Sequence, residues 1–230
     1  MDKLRDGLKG IAETISHEVN DKSTLGLGSG STVATVLEEL SLLLAKRKVS
    51  VGGVPTSVQI EMEATRNGIP VVPFTGSVDL LIDGADQVDG ELNLIKGGGG
   101  ALLKEKILMG SSKRTIIVAG EEKFAALLGE KGVKVPVEVA PFARVPAKRR
   151  LSQIGGAPDE RLLPKGYPYF TENGNIILDT AFEPIGNPAE LEVEIKKIPG
   201  VVEVGIFTFK PITVYMAKAN GTFDKKKSGH

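Results

Sequence analysis

Strand-like and helix-like apolar segments alternate at short intervals over the first 120 residues. Nearly continuous apolar runs predict strands at 23–27, 48–54, 69–74, 78–83 and 114–120. Apolar positions at helical spacing predict helices at 4–19, 33–47, 57–68 and 100–110. This alternation is typical of a parallel sheet buried between two layers of helices. The sequence therefore predicts an α/β fold, with a Rossmann-like, largely parallel sheet that has helices on both faces.

The pattern changes near residue 131. From there to 207 the order of elements is strand, helix, two paired strands, helix and strand, which is typical of a small ferredoxin-like α+β domain. A last strand at 212–221 is expected to return to the first domain. The predicted domains are therefore 1–130 with 208–230, and 131–207.

Composition narrows the possible partners and chemistry. The 29 basic and 29 acidic side chains balance, which argues against nucleic acid or an anionic membrane as a partner. The chain has no cysteine, so thiolate nucleophiles and thiolate zinc sites are excluded. Its beginning is charged, and no apolar run approaches the roughly 20 residues that span a bilayer. We expect a cytoplasmic protein.

Histidine is too scarce to carry proton transfer here. Of the two histidines, His17 is expected on the surface of the first helix, and His230 ends a charged segment, "DKKKSGH", that reads as a frayed tail. Any acid–base chemistry therefore has to use carboxylates and lysines.

The segment "GSGST" (28–32) joins a strand to a helix. It fails the dinucleotide fingerprint in both registers, because Ser31 or Val33 stands where the third glycine is required, and a phosphate-binding loop of the Walker type would need a lysine at Gly30. Backbone N–H groups and hydroxyls at such a helix start suit a small phosphate or carboxylate, and an ordinary N-cap is the alternative. Because ligands bind beyond the carboxyl ends of parallel strands, the anion site is favoured. Its residues are Ser29, Gly30, Ser31 and Thr32.

Acidic residues follow the strand at 78–83. Asp83 ends the strand and Asp86 follows three residues later, with only small residues between them, so both carboxylates are expected to face a cleft. Acidic groups at positions 1, 4 and 7 do not fit an EF-hand loop, whereas the spacing leaves magnesium open. For Asp89, beside Gly90, a solvated turn is expected.

The glycine run 97–100 lies between Lys96 and the helix at 100–110. Glycine lets the backbone approach a ligand closely and present N–H donors. Glu105, in the first turns of that helix, leans back towards the glycines, although a surface glutamate is the alternative. With the anion site, these groups fit proton abstraction beside a carbonyl on a small phosphorylated molecule.

Three segments, "GLGSGST" (26–32), "LIDGADQVDGELNLIKGGGGALLKEKI" (81–107) and "VPVEVAPFA" (135–143), strongly resemble ribose-5-phosphate isomerases of type A. The resemblance implies interconversion of ribose 5-phosphate and ribulose 5-phosphate through a cis-enediol, in the pentose phosphate pathway, with no metal or other cofactor. It also implies a homodimer or homotetramer. A sugar-phosphate sensor, or a related isomerase or deaminase, is the alternative.

The resemblance also implies roles for individual residues. Glu105 would be the general base, with Asp83 assisting ring opening and Asp86 in the same network. Lys96 would steady the enediolate together with the amides of Gly97, Gly98, Gly99 and Gly100. Substrate would be held by Ser29, Gly30, Ser31, Thr32 and Lys123. The segment "AGEEKF" departs from the family around Lys123, where Gly120 and Glu122 do not match.

Overall fold

The computed structural model describes residues 3–229. Its helices are α1 (Lys3–Glu18), α2 (Ser31–Lys46), α3 (Val58–Arg66), α4 (Leu102–Gly110), α5 (Arg144–Gln153) and α6 (Pro188–Lys196). Its strands are β1 (Ser23–Leu27), β2 (Val51–Pro55), β3 (Leu80–Gly84), β4 (Gln87–Val88), β5 (Leu94–Ile95), β6 (Thr115–Gly120), β7 (Val135–Val139), β8 (Ala157–Glu160), β9 (Ile176–Ala181), β10 (Val201–Val204), β11 (Ile206–Phe207), β12 (Thr213–Ala217) and β13 (Phe223–Lys227). None of the described helices is both long and apolar enough to cross a membrane.

The chain forms two compact units. The first contains the chain up to Gly84, then Lys104–Lys123, and the chain from Phe209 onward. The second contains Ala85–Leu103 and Phe124–Thr208. The segments 85–103 and 124–130 thus belong to the second compact unit. The domain boundaries expected from the sequence, 1–130 with 208–230 and 131–207, remain a prediction.

The first unit is built on a six-stranded sheet with the order β13-β12-β6-β3-β1-β2. All neighbouring strands are parallel except the pair β12 and β13. Every residue of β6 is buried, as expected for a strand that is covered on both faces. The predicted α/β sheet is confirmed, and the carboxyl ends of β1, β2, β3 and β6 lie at one edge.

The strand predicted at 69–74 is wrong. This segment forms only an isolated parallel bridge between Val71 and Gly53. Pro70 and Pro73 have no backbone N–H, so they cannot continue a ladder of hydrogen bonds. Part of the segment packs against the glycines of β2, but Val71 itself is 40% exposed.

The charged tail is also not frayed where the structure describes it. Residues 223–227 form β13, whose Phe223 ring lies 5.8 Å from that of Tyr215 on β12. Lys225 is paired with Glu18 at 3.0 Å. Burial raises the pKa of Glu18, but the hydrogen bonds and charges of Lys225 and Arg114 together outweigh it, so the pKa is lowered from its usual value. His17 is exposed on α1, as predicted, and His230 lies outside the described residues.

The second unit contains a four-stranded antiparallel sheet with the order β10-β7-β9-β8. Its β7-α5-β8-β9-α6-β10 sequence of elements confirms the ferredoxin-like α+β prediction. One segment differs, because the last predicted strand breaks at Gly205 into β10 and β11. A side chain at Gly205 would lie 2.4 Å from the carbonyl oxygen of Lys96. Beyond the break, β11 joins β5 and β4 in a three-stranded sheet that the sequence did not predict.

Candidate active site

Asp83 lies at the carboxyl end of β3 in the first unit and is fully buried. Its Oδ1 accepts a hydrogen bond from the Gly84 N–H at 2.7 Å. Gly28, which follows β1, donates its N–H to the carbonyl of Ile82 at 2.9 Å. A Cβ at Gly28 would lie only 1.8 Å from Asp83 Oδ1, so the close approach of carboxylate and backbone requires glycine at this position.

The bend that follows Gly28 leads into the 16-residue helix α2. The N-cap of α2 is Gly30, at φ 109°, and no side chain caps the helix. The alternative in which Ser31 or Thr32 is an ordinary N-cap is therefore wrong. The first-turn N–H groups of α2 therefore lack a side-chain cap at the positive end of the helix dipole, which suits an anion.

The turn after β2 contributes hydroxyl groups that the sequence analysis missed. Ser29 Oγ lies 2.8 Å from Thr56 Oγ1 and donates to Ser57 Oγ at 2.6 Å. The Gly30 N–H donates to Gln59 Oε1 at 3.2 Å. The available signal was a Thr-Ser pair directly after a strand that ends at the same edge of the sheet.

Glu105 faces the sheet rather than solvent. Its residue is 4% exposed, so the surface alternative is wrong. Leu108, one turn later on the same face of α4, packs over Gly26 of β1, its Cδ1 3.4 Å from where a Cβ would stand. Because α4 joins the parallel strands β3 and β6, it runs antiparallel to them. Glu105 therefore lies nearer than Leu108 to the edge that carries Asp83 and Gly28.

Lys123 lies at this same edge of the first unit. It ends a short 3₁₀ turn, Glu121–Lys123, that follows β6 directly, and it is partly buried. The first unit thus brings Asp83, the Gly28–Thr32 bend, Glu105 and Lys123 to one edge of its sheet.

In the second unit, Asp86 shapes the glycine run. Its Oδ2 accepts from the Gly98 N–H at 2.7 Å, and the Gly100 N–H donates to the Gly97 carbonyl at 2.9 Å. Two of the four amides are thus engaged within the loop, while Gly99 is exposed.

Lys96 precedes the glycine run and is 2% exposed. Its ammonium group lies 5.6 Å from the centre of the Phe207 ring. A buried lysine ammonium beside an aromatic face is a concentrated positive charge in a site of low dielectric constant.

Asp89 is not a solvated turn residue, as the sequence had suggested. It is 5% exposed, and its Oδ1 accepts from the N–H groups of Glu91 and Asn93, while its Oδ2 accepts from the Asn93 side chain. With three donors bound, the Asp89 carboxylate stabilises the turn that it belongs to.

The sequence also gave no sign that Arg161 and Tyr169 hydrogen-bond to carbonyl groups of the glycine run. These residues lie more than 60 positions downstream, in a segment that had been assigned only to a pair of strands.

Comparison with known proteins gives consistent matches. Residues 52–221 match the family described as ribose 5-phosphate isomerase A (phosphoriboisomerase A). The ribose-5-phosphate isomerase A of Thermosynechococcus vestitus is 43% identical over 86% of this chain and 85% of its own. The solved ribose 5-phosphate isomerase A of Methanocaldococcus jannaschii is 38% identical, with a TM-score of 0.89 over 97% of this chain and 98% of its own. A D-ribose-5-phosphate isomerase solved in complex with phospho-erythronic acid is 35% identical, with a TM-score of 0.90 over 96% of this chain and 97% of its own.

Proposed function

The chain belongs to the ribose 5-phosphate isomerase A family, and we propose that it interconverts ribose 5-phosphate and ribulose 5-phosphate through an enediolate, with Glu105 as the base. The observation that carries this proposal is the burial of two carboxylates, Asp83 and Glu105, at the same edge of the sheet as an uncapped helix N-terminus. The relative solved with phospho-erythronic acid supports a phosphorylated sugar chain as the ligand.

Glu105 would move a single proton in the open-chain sugar. In the aldose-to-ketose direction it removes the proton from C2, which leaves the C1 carbonyl oxygen as an oxyanion. The proton of the C2 hydroxyl then passes to that oxygen, and Glu105 returns its own proton to C1, so that the carbonyl group ends at C2. A buried carboxylate suits this task because bulk water is kept from exchanging the proton or quenching the intermediate.

Asp83 would accept and return the protons of the sugar hydroxyl groups. Opening the furanose ring requires one proton to leave the C1 hydroxyl and one to reach the ring oxygen, and a carboxylate at the strand end can accept the first. The close approach of Gly28 and the bond from the Gly84 N–H hold this carboxylate in one orientation. A fixed acceptor spares the reaction the cost of orienting one.

Lys96 and the glycine run would stabilise the negative charge of the enediolate. Because the N–H groups of Gly98 and Gly100 are engaged within the loop, the exposed Gly99 amide is the donor we favour. Asp86 would then act through the loop, by holding Gly98. A preorganised donor of this kind typically contributes about 10²–10³ in turnover.

The phosphate group would be held by the bend Ser29–Thr32 and by Lys123. The N–H groups at the start of α2 supply neutral donors and the positive end of a helix dipole, and Lys123 adds a full charge. Thr56 and Ser57 would orient the Ser29 hydroxyl.

An assay of ribose 5-phosphate isomerisation in EDTA tests the function. We expect turnover that EDTA does not change and that glucose 6-phosphate and glucosamine 6-phosphate do not support. Binding of ribose 5-phosphate without turnover would instead favour a sensor, and preference for a hexose phosphate would favour a related isomerase or deaminase.

We also propose a cytoplasmic homo-oligomer that associates through α5 and α6 of the second unit. Phe142, just before α5, is fully exposed beside a largely apolar cavity of about 480 Å³ that is lined in part by Arg149 and Arg150. Helix α6 carries the exposed acidic residues Glu190 and Glu194. A twofold pairing would set the basic α5 of one copy against the acidic α6 of the second and cover Phe142.

Replacing Phe142 by Glu should break this association. We expect light scattering after size exclusion to give a dimer or tetramer for the unchanged protein and a smaller species for Phe142→Glu. Tyr167→Glu is the control, because Tyr167 is exposed in the same unit but outside this face. A monomeric unchanged protein, or an unaltered mass for Phe142→Glu, contradicts the proposal.

A further inference from the structure

Two side chains outside the glycine motif bind three successive carbonyl groups of the loop. Arg161 Nη1 donates to the carbonyl oxygens of Gly97 and Gly98, both at 2.9 Å. The Tyr169 hydroxyl donates to the carbonyl oxygen of Gly99 at 3.1 Å. All of these residues belong to the second unit.

Arg161 is itself held in place. Its Nε donates to Asp179 Oδ2 at 2.8 Å and its Nη2 donates to Asp179 Oδ1, so the guanidinium is bound by a two-pronged contact that fixes its plane. The two side chains are only 15% and 24% exposed. The guanidinium carbon lies 5.7 Å from the centre of the Tyr169 ring, so both donors form one cluster.

Tyr169 keeps its proton under ordinary conditions. Burial raises the pKa of the Tyr169 phenol above its usual value, and the hydroxyl therefore remains a donor at neutral pH. The ring also fits against the loop, since a side chain at Gly100 would stand 2.1 Å from the Tyr169 oxygen.

These contacts set the direction of the loop amides. In a trans peptide group the C=O and the following N–H point in opposite directions. Because Arg161 holds the carbonyls of Gly97 and Gly98, the N–H groups of Gly98 and Gly99 point away from Arg161. The Gly98 N–H then reaches Asp86 at 2.7 Å, and the N–H of the exposed residue Gly99 points to the same side. Because Asp86 already accepts the Gly98 N–H, the Gly99 N–H is the donor that this side of the loop offers to an anionic oxygen.

Glycine cannot set this direction by itself. The run has φ 104° at Gly97 and 82° at Gly100, and without side chains it has access to many other conformations of similar energy. Arg161 adds little positive charge at the loop, because Asp179 neutralises it. Its contribution is therefore orientation rather than attraction.

We propose that Arg161, fixed by Asp179, and Tyr169 form a clamp that orients the glycine loop for isomerisation, so that all three are positioning residues. This inference rests on the proposed function, in which the Gly99 N–H meets the enediolate oxygen. Losing the clamp should then reduce kcat more than it changes KM, because the phosphate is held elsewhere.

Arg161→Met, Arg161→Lys and Tyr169→Phe test the clamp in the full-length protein. We expect Arg161→Met to speed amide hydrogen exchange in a peptide over 93–103 by about tenfold. Its kcat for ribose 5-phosphate should fall about 30-fold or more, while KM changes by less than about threefold. Tyr169→Phe should lower kcat about fivefold. The loss of kcat in the double variant should be smaller than the product of the two single losses, because both donors act on one loop.

Lys134→Met is the control. It removes another cation–carboxylate pair of the same unit, Lys134–Asp159 at 2.7 Å, outside α5 and α6, and should leave both the exchange and kcat unchanged. If Arg161→Met does not melt cooperatively, Arg161→Lys and Tyr169→Phe make the same comparison, since Lys keeps the charge and loses the two-pronged contact.

Unchanged exchange over 93–103 in the Arg161 and Tyr169 variants overturns the clamp. So does a raised KM with kcat intact, which would mean a direct contact with bound substrate. If the unchanged protein does not isomerise ribose 5-phosphate, the proposed function fails, and the exchange measurement still decides whether these side chains hold the loop.

Discussion

Replacing Glu105 by Gln should lower kcat for ribose 5-phosphate by about 10²-fold to 10⁴-fold, the range of a lost general base. Gln has nearly the same shape, so the buried position in α4 stays filled and the fold should persist. KM should change little, because the phosphate is held elsewhere and the carboxylate acts in the proton transfer rather than in ground-state binding. The measurement is initial-rate kinetics in both directions, together with a thermal melt.

Glu61→Gln is the control for this variant. Glu61 and Glu105 both lie in the first turn of a helix, so both changes remove one negative charge from the same kind of position. Glu61 is exposed, and its replacement should leave kcat unchanged. A Glu105→Gln enzyme that turns over nearly as fast as the unchanged protein would remove Glu105 from the reaction.

The sheet of the first unit was predictable because its signal is local. Buried parallel strands appear in the sequence as short apolar runs, and the helices between them have apolar residues at helical spacing. The segment 69–74 carries the same apolar signal, but two prolines remove the donors a strand needs. The strand β13 was missed for the opposite reason. Its charged residues pair with Glu18 on α1 and with Lys218 just after β12, and a pattern within the strand does not contain these partners.

The candidate site divides in the same way. The positions of Asp83 and Glu105 at one edge of the sheet could be predicted, because strand ends and helix starts locate them along the chain. Thr56 and Ser57 could have been found by applying the same rule to β2. Arg161 and Tyr169 could not have been predicted in this way. They are recognised by their hydrogen bonds to backbone carbonyl groups more than 60 positions away. Every residue has a backbone carbonyl, so the sequence does not indicate which ones accept such bonds.

Gly28→Ala should abolish most activity although it replaces no charged residue. The new methyl carbon would stand 1.8 Å from Asp83 Oδ1 and 2.6 Å from Asp83 Cβ, and the neighbouring strands leave no room for both. The carboxylate must rotate out of its present position, or β1 and β3 must separate. We expect kcat to fall about 10²-fold or more through the displaced acid, and stability to fall by about 1–3 kcal/mol through overpacking.

Gly84→Ala is the control for Gly28→Ala. It tests whether activity is lost because the Asp83 carboxylate is displaced or because this edge of the sheet tolerates no added side chain. A Cβ at Gly84 would meet its nearest neighbour, Val33 Cγ2, at 3.7 Å, which is ordinary contact, and the N–H that binds Asp83 Oδ1 is retained. This variant should keep stability and kcat close to those of the unchanged protein. Equal losses in both variants, or normal kcat in Gly28→Ala, would show that the position of the Asp83 carboxylate does not govern turnover. In the second case the acid that serves the hydroxyl protons would have to be sought elsewhere on this edge.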